Sequence, residues 1–472
     1  GRPTVPVKVL PAPAGADRII DQMAENDRRA AMTAGERIDG YRQLQVEGLS
    51  ARQISLRTGT TRGEIDASLS IAASSVAREA VDVFQELTLE QGVVLSEFEG
   101  DDDAIERLTT ALSQGQFAHT AQRLRDERAE IAARNAAIQA LAETGIAVID
   151  SADLRSPILR LDSLPNGDTA FTAETHNGCP GHGAYLNRKL DAVFVCTDPV
   201  QNGHLDYTLI DRPAAGAAAK TLYRLRQDGE MLTTENHAGC PGHAAYVDEQ
   251  RPVFVCTDPD QYGHVDSWGQ QMRAGQKKAV ADMDPQEREA FRAKRRDVID
   301  SNKAWDSTTV VRREFLTTFA ARKTAPKNAA QFVAEALASG DQALTQALTD
   351  GHRLARHILG LDNTTGRRAA GGTIGALLDK AATPRIQVIT LALVLSAYED
   401  ATGRHSWRTL DPATRRYLRF IQSHGYELAP VERRACGETL TGSSPSGDDL
   451  TADIGTDPVI DDGPEDLDDD LD

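Results

Sequence analysis

The sequence predicts a mainly α-helical protein of several domains that also contains two small α/β repeats. Its 472 residues exceed what one hydrophobic core usually organises, so about two to four domains are expected. Apolar residues make up 40% of the chain but aromatic residues only 5%, which is typical of helices rich in Ala and Leu. Four of the five cysteines fall in two copies of one motif, which predicts the repeats.

A run of short helices is predicted in the N-terminal part, after a first helix over 17–26. Four capping boxes indicate where these helices begin, because a Ser or Thr can accept from an amide three residues on while a Glu or Gln there reaches back. They are Thr33 with Glu36, Ser50 with Gln53, Thr61 with Glu64, and Thr88 with Gln91. Gly59 is predicted to adopt the left-handed conformation that ends the helix over 50–58. Helix, glycine turn and helix over about 20 residues is the helix-turn-helix pattern, a spacing that helical hairpins without DNA also share.

In a DNA-binding helix-turn-helix, the helix that begins at Thr61 would enter the major groove. Arg62 in its first turn can donate to a guanine edge, and Arg52 and Arg57 can reach phosphate. The candidate DNA-binding residues are Arg52, Gln53, Arg57, Thr60, Thr61, Arg62 and Glu64. The net charge of −19 is unfavourable for such a partner, but twelve of the acidic residues lie in 446–472, where there is no Lys or Arg. That segment is predicted to be a solvated tail, so net charge alone does not exclude DNA.

Residues 171–204 and 232–264 carry the same pattern of His and Cys. Val193–Val195 and Val253–Val255 are predicted strands that deliver the second cysteine of each copy. Thiolate and imidazole are the ligands that Zn²⁺ prefers, and four of them close a tetrahedral structural site. The sequence therefore predicts two Zn²⁺ ions per chain. The candidate ligands are His176, Cys179, His182, Cys196 and His204 in the first copy, and His237, Cys240, His243, Cys256 and His264 in the second.

Each copy thus offers five candidates for four positions around the metal. The favoured set is Cys179, His182, Cys196 and His204, with His176 as an alternate ligand or as a partner that orients one. Two other interpretations stay open: an apolar module with buried Cys and His, and an open hydrolytic site with Glu174 or Glu235 as general base. Paired cysteines of this kind indicate metal binding in a reducing cytoplasm rather than a disulfide framework. No run of about 18 apolar residues occurs, so no membrane-spanning helix is expected.

Motifs between 17 and 140, about a quarter of the chain, resemble the ParB/RepB family of chromosome and plasmid partition proteins. The string Glu25-Asn26-Asp27-Arg28-Arg29, followed by Met32-Thr33 and Glu36-Arg37, is similar to the family's Glu-Asn box. Leu49-Ser50 through Gly59 to Leu69 looks like its helix-turn-helix, and Leu87 to Gln91 with Leu95 resembles the helix after it. The longer architecture is similar to ParB-like proteins of high-GC Gram-positive bacteria.

The resemblance implies a site-specific DNA-binding protein of chromosome or plasmid partition. It implies a cytoplasmic, nucleoid-associated homodimer whose partners are double-stranded DNA and a ParA-type ATPase. Transcriptional regulation is the rival function, and a protein-interaction scaffold held together by the zinc repeats is a third. No catalytic residue is assigned to this chain.

The resemblance also implies CTP with Mg²⁺, held by Glu25, Asn26 and Arg29, since a hard cation prefers carboxylate oxygen and phosphates prefer arginine. The family's upstream Gly-x-Arg-Arg box is absent, and Gly1–Pro6 resembles the segment after that box. The chain is therefore expected to begin inside a domain. CTP binding, or a CTP-hydrolysing DNA clamp, is expected only with a complete N-terminal domain. In the alternative, Glu25 and Asn26 merely end a helix.

These inferences divide the sequence into five segments. Strand candidates lie at Val5–Leu10 and Gly145–Asp150, and the chain beyond Pro285 is predicted to be helical. The segments are a truncated ParB-type N-terminal remnant (1–32), a helix-turn-helix DNA-binding domain (33–143), two zinc-binding repeats (144–275), a helical C-terminal domain (276–436) and a disordered acidic tail (437–472).

Overall fold

The computed structural model describes residues 15–29, 32–84, 87–154, 157–166, 169–213, 217–266, 285–361 and 374–438. These residues are mainly helical, and their strands are short and confined to 147–266. No helix within the described ranges is long and apolar enough to cross a membrane. The strand predicted at Val5–Leu10 and the predicted tail from residue 439 onwards lie outside the described residues.

The chain forms two compact units, each described here by itself. The first comprises Gly1–Asp126 with Ser301–Leu440, and the second is Glu127–Asp300, as far as their residues are described. This division differs from the five predicted segments, because the helices after residue 301 belong to the same unit as the N-terminal helices. Within the first unit, His119 Nε2 lies 2.7 Å from the Glu427 carbonyl and Gln116 donates to the Leu428 carbonyl at 3.3 Å. Contacts so distant in sequence are not visible in local patterns.

Short helices, and the part of a longer one up to Asp126, build the N-terminal part of the first unit. All four predicted capping boxes form, with the Ser or Thr oxygen accepting from the third amide and the Glu or Gln side chain accepting from the cap amide. The helices are α1 (Ala16–Arg29), α2 (Ala34–Val46), α3 (Ala51–Thr58), α4 (Arg62–Ala73), α5 (Ser75–Val83), α6 (Leu89–Glu97), α7 (Asp102–Ser113) and α8 (Phe117–Glu143).

Two apolar clusters hold these helices together. Ile19 of α1 packs with Leu44, Ile54 and Ile65 of α2, α3 and α4, and all but Ile19 are completely buried. A second cluster around Leu95 joins α2, α4, α5, α6, α7 and α8. The helices that carry the helix-turn-helix are therefore fixed to one another by their own apolar faces, which burial stabilises by roughly 1.5–3 kcal/mol for each large side chain.

The later helices of the chain complete the first unit from Ser301 onwards, and Pro285–Asp300 belongs to the second unit. They are α9 (Pro285–Ala320), α10 (Ala329–Ser339), α11 (Gln342–Thr349), α12 (Arg353–Ile358), α13 (Thr383–Ala401), α14 (Pro412–Gln422) and α15 (Pro430–Ala435), with a short helical segment at 374–379. Fully buried Arg312 joins three of them. Its guanidinium lies 2.7 Å from Glu399 and 2.6 Å from Glu432, both also fully buried. Such a network is stable only when every charge is paired.

Two copies of a four-stranded sheet form the core of the second unit. The strand order is β1-β5-β6-β2 in the first sheet and β7-β11-β12-β8 in the second. In each sheet the outer strand β1 or β7 runs parallel to its neighbour, and the other pairs are antiparallel. The strands are β1 (Ala147–Val148), β2 (Leu159–Arg160), β3 (Pro165–Asn166), β4 (Thr169–Ala170), β5 (His182–Leu186), β6 (Ala192–Cys196), β7 (Thr208–Leu209), β8 (Lys220–Thr221), β9 (Leu225–Gln227), β10 (Glu230–Met231), β11 (His243–Asp248), β12 (Arg251–Cys256) and β13 (Val265–Asp266).

Each repeat is longer than the matching His and Cys patterns indicated. It begins at β1 or β7, and Ala147 and Thr208 stand 61 residues apart, as do His176 and His237. The added half supplies buried leucines: Leu161 and Leu164 in the first copy, Leu222 and Leu225 in the second. The two copies also contact each other, since the Arg160 amide donates to the Gln250 carbonyl at 2.8 Å.

Candidate metal centres and helix-turn-helix

The hairpin of each sheet places the second cysteine of the motif. In the first copy, β5 begins at His182 and pairs in register with Cys196 at the end of β6. The turn before β5 is built by backbone hydrogen bonds from Cys179 to His176 and from His182 to Cys179, both 3.0 Å long. The Gly181 amide donates to Cys179 Sγ at 3.4 Å, which orients the first sulfur. The turn therefore brings the sulfur of Cys179, and the end of β6 the sulfur of Cys196, to the same point.

Four side chains meet at that point in the first repeat. The ligand atoms of His176, Cys179, Cys196 and His204 all lie within 4.8 Å of one another. His204 Nε2 is 3.1 Å from His176 Nε2 and 3.2 Å from Cys179 Sγ. A tetrahedral centre with bonds of about 2.0–2.3 Å separates its ligand atoms by about 3.3–3.8 Å, close to this arrangement. The four atoms could hold one metal ion.

The second repeat reproduces this geometry. Its group is His237, Cys240, Cys256 and His264, again within 4.8 Å. His264 Nε2 lies 3.2 Å from His237 Nε2 and 3.4 Å from Cys240 Sγ. Among the described residues, neither group includes a carboxylate, and the two acids considered as general bases, Glu174 and Glu235, are exposed. Two thiols and two imidazoles form a closed ligand set, which favours a structural role over hydrolysis.

The structure exchanges the expected roles of the two neighbouring histidines. The sequence favoured His182 as a ligand, but the four-atom group contains His176, and His182 lies behind it with the two Nδ1 atoms 3.0 Å apart. In the second repeat His243 Nδ1 lies 2.9 Å from His237 Nδ1. If Nε2 of His176 binds a metal, its Nδ1 carries the hydrogen and donates it to His182. The outer histidine then fixes the tautomer and the ring angle of the inner one.

Burial changes the protonation of these groups. Burial, and then the neighbouring His204 and His182, lowers the pKa of His176 to about 4. Burial likewise lowers the pKa of His237 to about 4 and raises that of the Cys256 thiol to about 11. The His176 and His237 imidazoles are therefore neutral and ready to bind a cation, whereas the Cys256 thiol needs a nearby positive charge to become a thiolate. A divalent ion would supply that charge.

The predicted helix-turn-helix is formed by α3, the turn at Gly59 and α4. Gly59 has φ 75° and ψ 8°, the left-handed conformation that ends α3. The turn is held from both sides, because Ser55 Oγ donates to the Thr60 carbonyl at 2.7 Å and the Tyr41 hydroxyl lies 3.1 Å from that of Thr60. The completely buried Ile54 and Ile65 lock the two helices together. The first turn of α4 is exposed at Thr61, Arg62 and Glu64.

The candidate DNA-binding side chains differ in the contacts that they already make within the protein. Arg52 is exposed on α3, and Arg57 pairs with Asp17 of α1. Arg62 lies 3.4 Å from Asp66 in an exposed pair on its own helix. Gln53 and Glu64 are engaged in the caps of α3 and α4.

The three residues expected to bind nucleotide lie together near the end of α1. Glu25, Asn26 and Arg29 are all exposed, and Glu25 forms an ion pair of 2.8 Å with Arg29. An exposed pair of this kind contributes little to stability. The segment before residue 15, which resembles the part that follows the family's phosphate-binding box, lies outside the described residues.

Two features of the site carried weak signals in the sequence. One is the upstream half of each repeat, which only the 61-residue spacing of its leucines could have indicated. The other is Asn202, whose amide donates to Cys196 Sγ at 3.5 Å, a contact that the His and Cys motif did not predict.

Comparisons with known protein families, with curated proteins and with solved structures found no match. The likeness to partition proteins therefore rests on the motifs within residues 17–140.

Proposed function

We propose that this protein binds a specific double-stranded DNA site through α3 and α4, in the manner of ParB-type partition proteins. The observation that supports this best is the helix-turn-helix itself: two helices locked by Ile54 and Ile65, joined at a left-handed glycine, with an exposed first turn on the second helix. The capped N-terminus of α4 leaves amides and a positive dipole end at that surface, which favours phosphate. Partition is the biological role that the motifs imply, as part of a homodimer.

Arg62 is the residue proposed to read sequence. It stands in the first turn of α4, and its exposed ion pair with Asp66 is weak enough to be replaced by a guanine edge. Arg52 lies on α3 rather than in the first turn of α4, and it is proposed to contact phosphate. The two arginines therefore separate sequence recognition from general affinity for the DNA backbone.

The experiment is selection of a DNA site by the full chain, followed by affinity measurements on that site and on unrelated DNA. Arg62→Ala is expected to cost about 1–3 kcal/mol at the selected site and little on unrelated DNA. Arg52→Ala is expected to weaken both equally and to lower the salt dependence. The matched control is Arg404→Ala. Arg404 is also an exposed arginine in an ion pair, with Asp306 at 3.0 Å, but it lies outside α3 and α4. Unchanged selectivity in Arg62→Ala would contradict the placement of α4.

We also propose that each His/Cys group holds one structural Zn²⁺. Two thiols and two imidazoles in a closed set are the ligands that zinc prefers, and each repeat has few buried side chains with which to fold alone. Elemental analysis of the full chain is expected to find two zinc ions. Removal of the metal by a chelator is expected to unfold the repeats, because zinc binding energy is folding energy in such modules. A chain without metal whose repeats keep their fold would contradict the assignment.

A further inference from the structure

Between the second cysteine and the last histidine of the motif, the two repeats differ at two positions. Val200 corresponds to Asp260, and Asn202 corresponds to Tyr262. A Cβ added to Gly181 would lie 2.6 Å from Asn202 Nδ2, and one added to Gly242 would lie 2.6 Å from Tyr262 Cε2. The two side chains therefore occupy corresponding places, one a small polar amide and the other a large ring.

The difference changes how open each centre is. Tyr262 packs against the apolar cluster of the second repeat, which includes Leu232 and Cys256, and His264 is only 5% exposed. In the first repeat His204 is half-buried, and a cavity of about 280 Å³ opens beside it. Asn202 lines that cavity together with His176, Cys179 and His204, so three of the four side chains proposed to bind the metal border it.

Such a cavity has a chemical consequence for a bound ion. A metal leaves a closed ligand set most readily when an incoming donor reaches it before the first protein ligand departs. A liquid-water molecule occupies about 30 Å³, so the cavity has room for a small ligand with two donor atoms. In the second repeat the place that corresponds to Asn202 is taken by the larger ring of Tyr262.

We propose that the first centre is an exchangeable zinc site, open to small ligands with nitrogen or sulfur donors, and that the second is a closed one. This inference rests on the proposed zinc sites. Because metal binding supplies folding energy, the first repeat would lose its fold sooner than the second after a chelator is added. The second repeat would keep its zinc and its fold for longer under the same conditions. The pair thus combines a rapidly exchanging module with a slowly exchanging one.

The test is release of zinc from the fully loaded full chain to the chromogenic chelator 4-(2-pyridylazo)resorcinol, followed by absorbance. One equivalent is expected to leave about tenfold faster than the other, or more, which corresponds to about 1.4 kcal/mol in activation free energy. The Cys256→Ala chain, which keeps only the first centre, should show the fast phase. The Cys196→Ala chain, which keeps only the second, should show the slow phase.

Exchange of the two side chains then identifies the cause. Asn202→Tyr should slow the fast phase and Tyr262→Asn should speed the slow one, whereas Gln201→Ala and Gln261→Ala at the exposed neighbouring positions should change neither. Release of both ions at one rate would overturn the difference between the centres and leave the zinc sites standing. A fast phase that Asn202→Tyr leaves unchanged would overturn the role of Asn202 in keeping the first centre open. A full chain that binds no zinc would instead overturn the proposed sites and this inference together.

Discussion

Replacement of His176 and of His182 by alanine separates the metal ligand from the residue that orients it. The two histidines are six residues apart and their Nδ1 atoms are 3.0 Å apart, so sequence position and proximity alone do not distinguish them. Only His176 contributes a ligand atom to the four-atom group. We expect His176→Ala to abolish tetrahedral coordination in the first repeat and His182→Ala to preserve it with lower affinity.

The expected magnitudes follow from these roles. Structural zinc sites have apparent binding energies of about 10–16 kcal/mol, so an even share among four ligands is about 2.5–4 kcal/mol for His176. Loss of an orienting partner usually costs about 10–100-fold in metal affinity, or about 1.4–2.7 kcal/mol for His182. His182 also stacks on Phe194, with an interplanar angle of 13°, so part of its cost is lost packing.

Cobalt(II) substitution provides the assay, because its visible spectrum reports the number and geometry of ligands, and competition with a chelator gives the affinity. The second repeat in the same chain serves as the internal control, since its ligands are unchanged. We expect the tetrahedral spectrum of one centre to be lost in His176→Ala, while both persist in His182→Ala. The reverse result, with coordination lost in His182→Ala and retained in His176→Ala, would refute the ligand assignment.

Three further substitutions test the structure elsewhere. Arg312→Met removes the nearest cation from two buried glutamates, of which Glu399 keeps a longer ion pair with Arg313 at 3.7 Å. It is expected to cost about 3–5 kcal/mol of unfolding free energy, measured by urea denaturation. Gly181→Ala places a methyl group 2.6 Å from a side-chain amide and 2.9 Å from a ligand sulfur, so zinc affinity in the first repeat should fall. Gly178→Ala, which meets nothing within 4 Å, should leave that affinity unchanged. Gly59→Ala forces a side chain into φ 75° and should destabilise the helix-turn-helix by about 1–2 kcal/mol, whereas Gly63→Ala within α4 should not lower its stability. Thermal unfolding measures both.

Local features of the helices could be predicted because their causes lie within a few residues. The capping boxes that begin at Thr33, Ser50 and Thr61 formed as expected, since both hydrogen bonds of each box join residues three positions apart. Gly59 ended α3 in the left-handed conformation for the same reason. The two His/Cys groups that could hold a metal ion were predictable as groups, because duplicated Cys and His at matched spacing point to a common site.

The sequence by itself determined which residues gather at each metal centre, but only the tertiary structure decided which histidine faces inwards. The strand that begins at His182 directs that ring towards Phe194, and the turn before it brings His176 to the two sulfurs. Only the tertiary structure also decided the full length of each repeat, whose added strands pair with the hairpin. It likewise decided that the N-terminal helices and those after residue 301 belong to one unit. These features depend on contacts between residues far apart in the chain, such as His119 with the Glu427 carbonyl, and no local pattern encodes them.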